Sequence, residues 1–426
     1  GDLGIRQLVL SNNVRVNMKQ TDFEENSILI TVRLGTGKLG QLQNQTGLDG
    51  FSATVINAGG LGQHSVDELS RIFAGRNVGV EFSVADDAFQ LTGGTTPEDL
   101  GLQLQLMVAQ LSDPGNREEA VRQFQQAIPG IVASQRFSLD GAVNQVQAWL
   151  TGGDGRFAVP TEEQLLSFEA SDAKDWIQPQ LADSYLEVSI VGDFDPENTV
   201  SLILETFGAL PVRADSPVIA NSPAIVLPEA PVNRSFTYES EIPRAAAIVP
   251  WESIPLTEDT INEVRRLNVL AGILKNRLKE EIREELGLSY APSAGSSPSE
   301  SFGYGVITGS SDCTPEDVET ISLLILEIAK SLSEEGASQD EMVRALEPFQ
   351  VNLNTTLRSN SYWLFTVMQD SQTEPYELDW ARGRDAVYES MTLDEINELA
   401  KKYLVPENAL RVTLLPVVIT TRRLRR

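Results

Sequence analysis

Five prolines, Pro211, Pro217, Pro223, Pro228 and Pro231, fall within 21 residues near the middle of a 426-residue chain. Proline fixes φ and lacks an amide donor, so this stretch suits an extended connector and excludes a helix or a central strand. The break leaves two halves of similar length, and the halves repeat. Leu91-Thr92-Gly93 followed by Thr96-Pro97-Glu98-Asp99-Leu100 has a counterpart in Ile307-Thr308-Gly309 followed by Thr314-Pro315-Glu316-Asp317-Val318. In each place a strand-like stretch ends at Gly and a helix is expected to open, with Thr as its cap and Pro in its first turn. Later, Ser171 to Lys174 and Glu187 to Gly192 are matched by Thr392 to Glu395 and Arg411 to Pro416. The landmarks keep their order, at offsets of about 216 to 224 residues, which predicts a duplicated domain. The expected organisation is a first domain over 1–210, a connector over 211–231 and a second domain over 232–426. Arg213 and Arg234 bracket the segment expected to be cut first by a protease.

Each half mixes strands with helices. Ile5 to Leu10 and Val14 to Lys19 flank Asn12-Asn13, a pair suited to a tight hairpin because Asn tolerates positive φ. Ser27 to Leu34 continues the β-rich opening, and helices are predicted over 47–58, 65–73, 97–111 and 117–131. In the second half Val264, Leu267, Leu270, Leu274, Leu278 and Ile282 recur every three or four residues, the apolar face of one long helix. Hairpins layered with helices predict an α+β fold: two homologous domains, each a mostly antiparallel sheet with helices. The polar run Ser293 to Ser301 reads as a loop between strands. The Tyr362-Trp363-Leu364-Phe365 cluster reads as core.

Composition removes whole classes of function. Lys and Arg total 33 against 61 Asp and Glu, a formal net charge of -28, which repels a nucleic-acid backbone. No run of about 18 apolar residues occurs, so no membrane span is expected. The opening residues Gly1 to Gly4 carry no secretory signal pattern. A single Cys, Cys313, excludes an intrachain disulfide, and a single His, His64, excludes any metal site built on two histidines. His64 precedes Ser65-Val66-Asp67-Glu68, a capping box, and reads as a solvated flanking residue. Cys313 reads as an inert, partly buried thiol.

Several ordered segments resemble the pitrilysin/insulinase-type zinc peptidases, in their C-terminal, noncatalytic half. They are Leu10 to Val16 with Lys19-Gln20-Thr21-Asp22-Phe23, then Gly59 to Ser65 leading into Glu68-Leu69 and Phe73-Ala74-Gly75. Arg283-Glu284-Glu285-Leu286-Gly287-Leu288-Ser289-Tyr290 and Thr314-Pro315-Glu316 follow. The spacing from Arg283 to Tyr290, after a long helix, is the most specific of these features. The family's catalytic domain carries His-x-x-Glu-His on a helix, two imidazoles for zinc and a carboxylate that activates water. Here Gly50, Ala53 and Thr54 stand at those positions, and none can ligate zinc or act as the base.

The resemblance therefore implies a chain without a catalytic residue or metal of its own, zinc being expected in a partner catalytic half. Two homologous domains would form one bowl, against which a zinc-bearing half closes around a peptide substrate. The peptide backbone would be held partly by strand addition, and Arg283 and Tyr290 would bind substrate near the scissile bond. A guanidinium and a phenol both donate to a carbonyl as its negative charge grows. From the residues alone, Arg283 equally reads as one member of an exposed ion pair among Glu280, Glu281, Glu284 and Glu285, and Tyr290 as a strand residue packed on the sheet. Arg277, on the same helix but outside the motif, is expected to be dispensable. The alternative reading is a free-standing inactive partner or scaffold subunit of the same family. Exported bacterial members of the family point to a periplasmic site. The basic tail Arg422 to Arg426 is expected to be disordered or to dock on an acidic surface.

Overall fold

A computed structural model describes residues 2–218, 224–289 and 291–418. The chain divides into two compact units, one of Gly1–Ile128, Pro160–Ser222 and Leu353–Gly383, the other of Pro129–Val159, Pro223–Asn352 and Arg384–Arg426. The chain therefore enters each unit more than once, whereas the boundary read from the prolines has a single crossing.

The first unit holds a six-stranded sheet of β1 (Arg6–Val9), β2 (Arg15–Gln20), β3 (Ile28–Leu34), β4 (Glu81–Val84), β5 (Phe89–Thr95) and β6 (Leu186–Gly192). Their spatial order is β1-β2-β6-β3-β5-β4, and every pair is antiparallel except β2 with β6. The hairpin between β1 and β2 turns at Asn13, whose φ is +66°, with Leu10 N–H on the Val14 carbonyl at 2.9 Å. The second unit holds β7 (Val232–Ser240), β8 (Ala245–Ser253), β9 (Ser293–Pro298), β10 (Gly305–Cys313) and β11 (Leu410–Val418), in the order β7-β11-β8-β10-β9. Again a single pair, β7 with β11, is parallel. The order β2-β6-β3-β5-β4 and the order β7-β11-β8-β10-β9 are one topology used twice. This is the structural form of the sequence repeat, and β1 is an addition to the first copy.

β6 shows how each sheet is buried on both faces. Leu186, Val188 and Ile190 point into the main core with Phe89, Leu91, Leu104 and Phe207. Successive side chains of a strand face opposite ways, so Glu187, Ser189 and Val191 point to the other face. That face is covered by residues 360–368, where Trp363, Leu364, Val367 and Met368 pack on Val191. In the second unit, helix Leu139–Leu150 covers the corresponding face through Ala142, Val146 and Leu150 against Val412 and Leu414. Each such buried Leu or Val contributes roughly 1.5–3 kcal/mol. The Tyr362 to Phe365 cluster is thus core at Trp363 and Leu364, with Phe365 at 39% exposure.

Three expectations change. Thr96 to Asp99 and Thr314 to Asp317 each close a turn, Asp99 N–H on the Thr96 carbonyl and Asp317 N–H on that of Thr314, both at 3.1 Å. The helices proper begin at Leu100 and Val318, so Thr initiates the turn and does not cap the helix. The run from Ser293 is strand β9 as far as Pro298 and not a loop. Its small polar side chains carry no apolar alternation, and the β10 ladder supplies the order that the sequence pattern lacks. Finally, Arg213 is buried, its Nη1 donating to the Leu181 carbonyl at 2.6 Å and its N–H to that of Asn12 at 2.8 Å. A protease cannot reach it while those bonds hold.

Candidate functional site

Helix Leu48–Gly59 forms as expected, opened by Gly47 at a φ of +86° and anchored by Leu48, Phe51, Val55 and Ile56. Positions 50 and 54 face outward and Ala53 packs against the core, and none of the three carries ligand chemistry. A side chain at Gly50 would meet nothing within 4 Å, and the Thr54 hydroxyl turns back to the Gly50 carbonyl at 2.8 Å. His64 is exposed beside the Ser65–Glu68 capping box, which forms reciprocally. Among the described residues no group of three or more His, Cys, Asp or Glu is placed to hold a metal ion. The donor set does not fit zinc. The Cys313 thiol is pushed up to about 12, first by burial and then by Asp317 and Asp312, so it is not a nucleophile at neutral pH.

The segment around Arg283 is held firmly. Helix Ile261–Leu278 buries Val264, Leu267, Leu270, Leu274 and Leu278, and a π-helical turn, Lys279–Glu285, continues it with Ile282 fully buried. Wide turns of this kind recur at functional sites. Gly287 ends the turn at a φ of +65°, and Leu288 N–H donates to the Ile282 carbonyl at 2.9 Å. This closure is one residue wider than the usual C-terminal cap, as a π turn requires. Glu280 is taken by Arg344 at 2.6 Å and Glu284 by Lys279 at 3.9 Å. Arg283 itself is exposed and makes no hydrogen bond or ion pair with any described residue. Tyr290 lies outside the described residues. Its neighbour Ser289 is buried and accepts from the Ser311 hydroxyl of β10 at 2.8 Å, an anchor no sequence pattern pointed to.

A second polar cluster, in the first unit, was also invisible in the sequence. The buried Glu187 carboxylate accepts from Asn17 Nδ2 at 2.6 Å, from Gln372 N–H at 2.8 Å and from Thr373 Oγ1 at 3.0 Å. Burial pushes its pKa up, against the hydrogen bonds from Gln372, Asn17 and Thr373. Tyr185, donating to Glu187 Oε2 at 3.2 Å, is pushed up to about 12, first by burial and then by that carboxylate. Nearby, Arg33 pairs with Asp87 at 2.6 Å and Asp370 at 3.0 Å. Burial alone would lower its pKa, but Asp370 and Asp87 raise it. A cavity of about 50 Å³ lies between the two groups. The donors from Gln372 and Thr373 tie their segment to the sheet through Glu187, which is a structural role.

Residues 167–349 match the family model of the peptidase M16 inactive domain. Over 461 aligned residues the chain is 23% identical to the chloroplastic stromal processing peptidase of Arabidopsis thaliana, covering 96% of this chain and 36% of that protein. Similarity to a zinc protease PQQL-like protein of the same plant is 24% over 397 residues, covering 89% of this chain and 38% of that one. The chain thus spans about a third of the length of these curated relatives. Among solved structures, the periplasmic protease PqqL of Escherichia coli superposes with a TM-score of 0.81 at 21% identity, over 97% of this chain and 46% of that one. A peptidase M16 inactive domain from Pseudomonas fluorescens gives 0.79 at 15% identity, over 97% and 98%. The fold is that of the pitrilysin/insulinase-type (M16) peptidases, and residues 167–349 match the model of their inactive domain.

Proposed function

We propose that this chain is the noncatalytic half of a zinc-dependent peptidase, binding peptide within a chamber completed by a zinc-bearing half. It cleaves nothing unaided. In this reading 1–210 and 232–426 are two copies of one pitrilysin-like domain, with 211–231 joining them. Arg283 and Tyr290 bind the substrate backbone near the scissile bond, where charge develops on the carbonyl oxygen.

The observation that carries this reading is the state of Arg283. Exposed helical arginines among glutamates ordinarily form ion pairs. Arg283 has four glutamates close in sequence, yet it pairs with no described residue, while Gly287 and Ser289 fix the backbone beyond it. A guanidinium presented on a rigid turn and left unpaired suits an external acceptor. The test is peptide turnover by the chain combined with a zinc-bearing half: Arg283→Ala must lower it without lowering the melting temperature. Unchanged turnover would remove the substrate-binding role.

A second reading is a free-standing inactive partner or scaffold subunit. It is favoured by the Pseudomonas fluorescens inactive domain, a chain that this one covers almost end to end. Co-purification separates the two, since a scaffold would bind its partner without altering peptide turnover.

A further inference from the structure

Helix Ile261–Leu278 carries a second stripe beside its apolar face. Asn268, Ala271, Gly272, Lys275 and Asn276 recur at intervals of three and four residues and so share one side of the helix. Helix Gln339–Thr356 approaches the small middle of that stripe, where a Cβ on Gly272 would meet the Ala345 Cβ at 3.5 Å. Alternate residues of β9 close a third side: Ala294 and Ser296 are partly buried, while Ser293, Gly295 and Ser297 are exposed. Between the three elements lies a cleft of about 510 Å³, with Pro348 and Phe349 on its apolar wall. That size suits a small organic molecule.

The polar groups of the cleft are left open. The Ser296 hydroxyl is shut off from solvent and has no hydrogen-bond partner among the described residues, although buried polar groups are ordinarily satisfied. Asn268, Lys275 and Asn276 likewise make no side-chain hydrogen bond or ion pair with any described residue. Lys275 lacks a partner in a chain that holds 61 acidic residues against 33 basic ones. Arg344, which also lines the cleft, holds the carboxylates of Glu280 and Asp340 at 2.6 and 3.0 Å.

We propose that this cleft binds an organic carboxylate with a short apolar body. The Lys275 ammonium, the Asn276 amide and the Ser296 hydroxyl are donors for the carboxylate. Ala271, Gly272 and Phe349 receive the apolar body. Asn268, eight residues before Asn276 and so about 12 Å away along the axis, takes a hydrogen-bonding group at the far end. The net charge of -28 repels anions at a distance, but that field fades over about 8 Å at physiological ionic strength. The site lies apart from the scissile-bond role proposed for Arg283 and needs no zinc-bearing half.

The probe is N-acetyl-Ala-Leu, added to this chain alone and followed by calorimetry; it should bind with a Kd below about 1 mM. Its C-terminal amide should bind at least about tenfold more weakly, because the charge on the acceptor is lost. Lys275→Met should weaken binding of the acid by about ten- to a hundredfold. Lys279→Met, the same change of charge one turn further on, should not. Ser296→Ala should weaken binding about threefold and leave the melting temperature unchanged or higher, since an unpaired buried hydroxyl does not stabilise the fold. A longer peptide ending in Ala-Leu separates two sources of the carboxylate: binding as tight as that of the dipeptide assigns the cleft to peptide C-termini, and exclusion assigns it to free acids. Arg283→Ala should leave every affinity unchanged, so that failure here and failure of the scissile-bond role are told apart. Equal binding of acid and amide, full affinity in Lys275→Met, or a Kd for the acid above about 1 mM would overturn the proposal.

Discussion

Arg277 and Glu341 form a two-pronged pair, Nε on Oε1 at 2.6 Å and Nη2 on Oε2 at 3.1 Å. The same guanidinium donates Nη2 to the Gly336 carbonyl at 2.8 Å, so it ties the end of the long helix to the start of helix Gln339–Thr356. Both side chains are mostly covered, at 19% and 16% exposure. The expectation that Arg277 is dispensable is therefore corrected: sequence places it outside the Arg283 motif, but tertiary contact makes it a fastener.

Arg277→Ala should lower the unfolding free energy by about 2 kcal/mol, because a charge-assisted fork is lost and Glu341 is left half-covered without its partner. Arg277→Lys should recover only part, since an ammonium cannot bond in two places at once. Urea titrations measure both.

Hydrogen bonds from Arg277, helped by the Ser338 N–H and hydroxyl, hold the Glu341 carboxyl down at about 2 against the opposing effect of burial. A depressed folded pKa gives stability that is present above the unfolded value of about 4.5. It is lost as pH falls toward 2. The stability gap between the chain and Arg277→Ala should accordingly be constant from pH 5 to 7 and close below pH 4, and a gap that widens in acid would contradict the pairing.

Glu187 works in the opposite sense. Its folded pKa is raised by burial, so its contribution is fully present below the ordinary carboxylate value and falls as pH rises through the folded pKa. Relative to Glu187→Gln, the chain should lose stability between about pH 4.5 and its raised folded pKa. Thermal melts across that range check it, and parallel curves for the two proteins would sink the assignment.

In the enzyme combined with a zinc-bearing half, Arg283→Ala or Tyr290→Phe should lower peptide turnover by roughly ten- to a hundredfold, the value of one charge-assisted hydrogen bond in the transition state. Melting temperatures should move by no more than about 1 °C, because Arg283 contributes no bond to any described residue.

The chain alone, dialysed against zinc, should retain none at stoichiometric level. Gly50, Ala53 and Thr54 offer no ligand on helix Leu48–Gly59. Recovery of one tightly held zinc per chain would show that other residues supply a site.

Local chemistry determined much of this protein. The Val264 to Ile282 periodicity required one apolar helix face, and all six residues are buried as that period demands. Asn12-Asn13 set the first hairpin, the repeated landmarks required two copies of one topology, and a single His was enough to rule out the family's zinc motif. Other features depended on segments distant in sequence. Alternation along β6 placed Glu187 and Ser189 opposite the core, where an isolated strand would leave them in water. Residues 360–373, brought to that face by the tertiary fold, cover both and add hydrogen bonds from Gln372 and Thr373 to Glu187, so a solvent face became a second interior. Arg277 gained a partner 64 residues away, β9 gained its ladder from β10, and the Asn57 carboxamide came to pair with the N–H and C=O of Phe82. The period of a helix or strand is set by neighbours in the chain, but whether its polar face meets water, a carboxamide or another segment is set by packing.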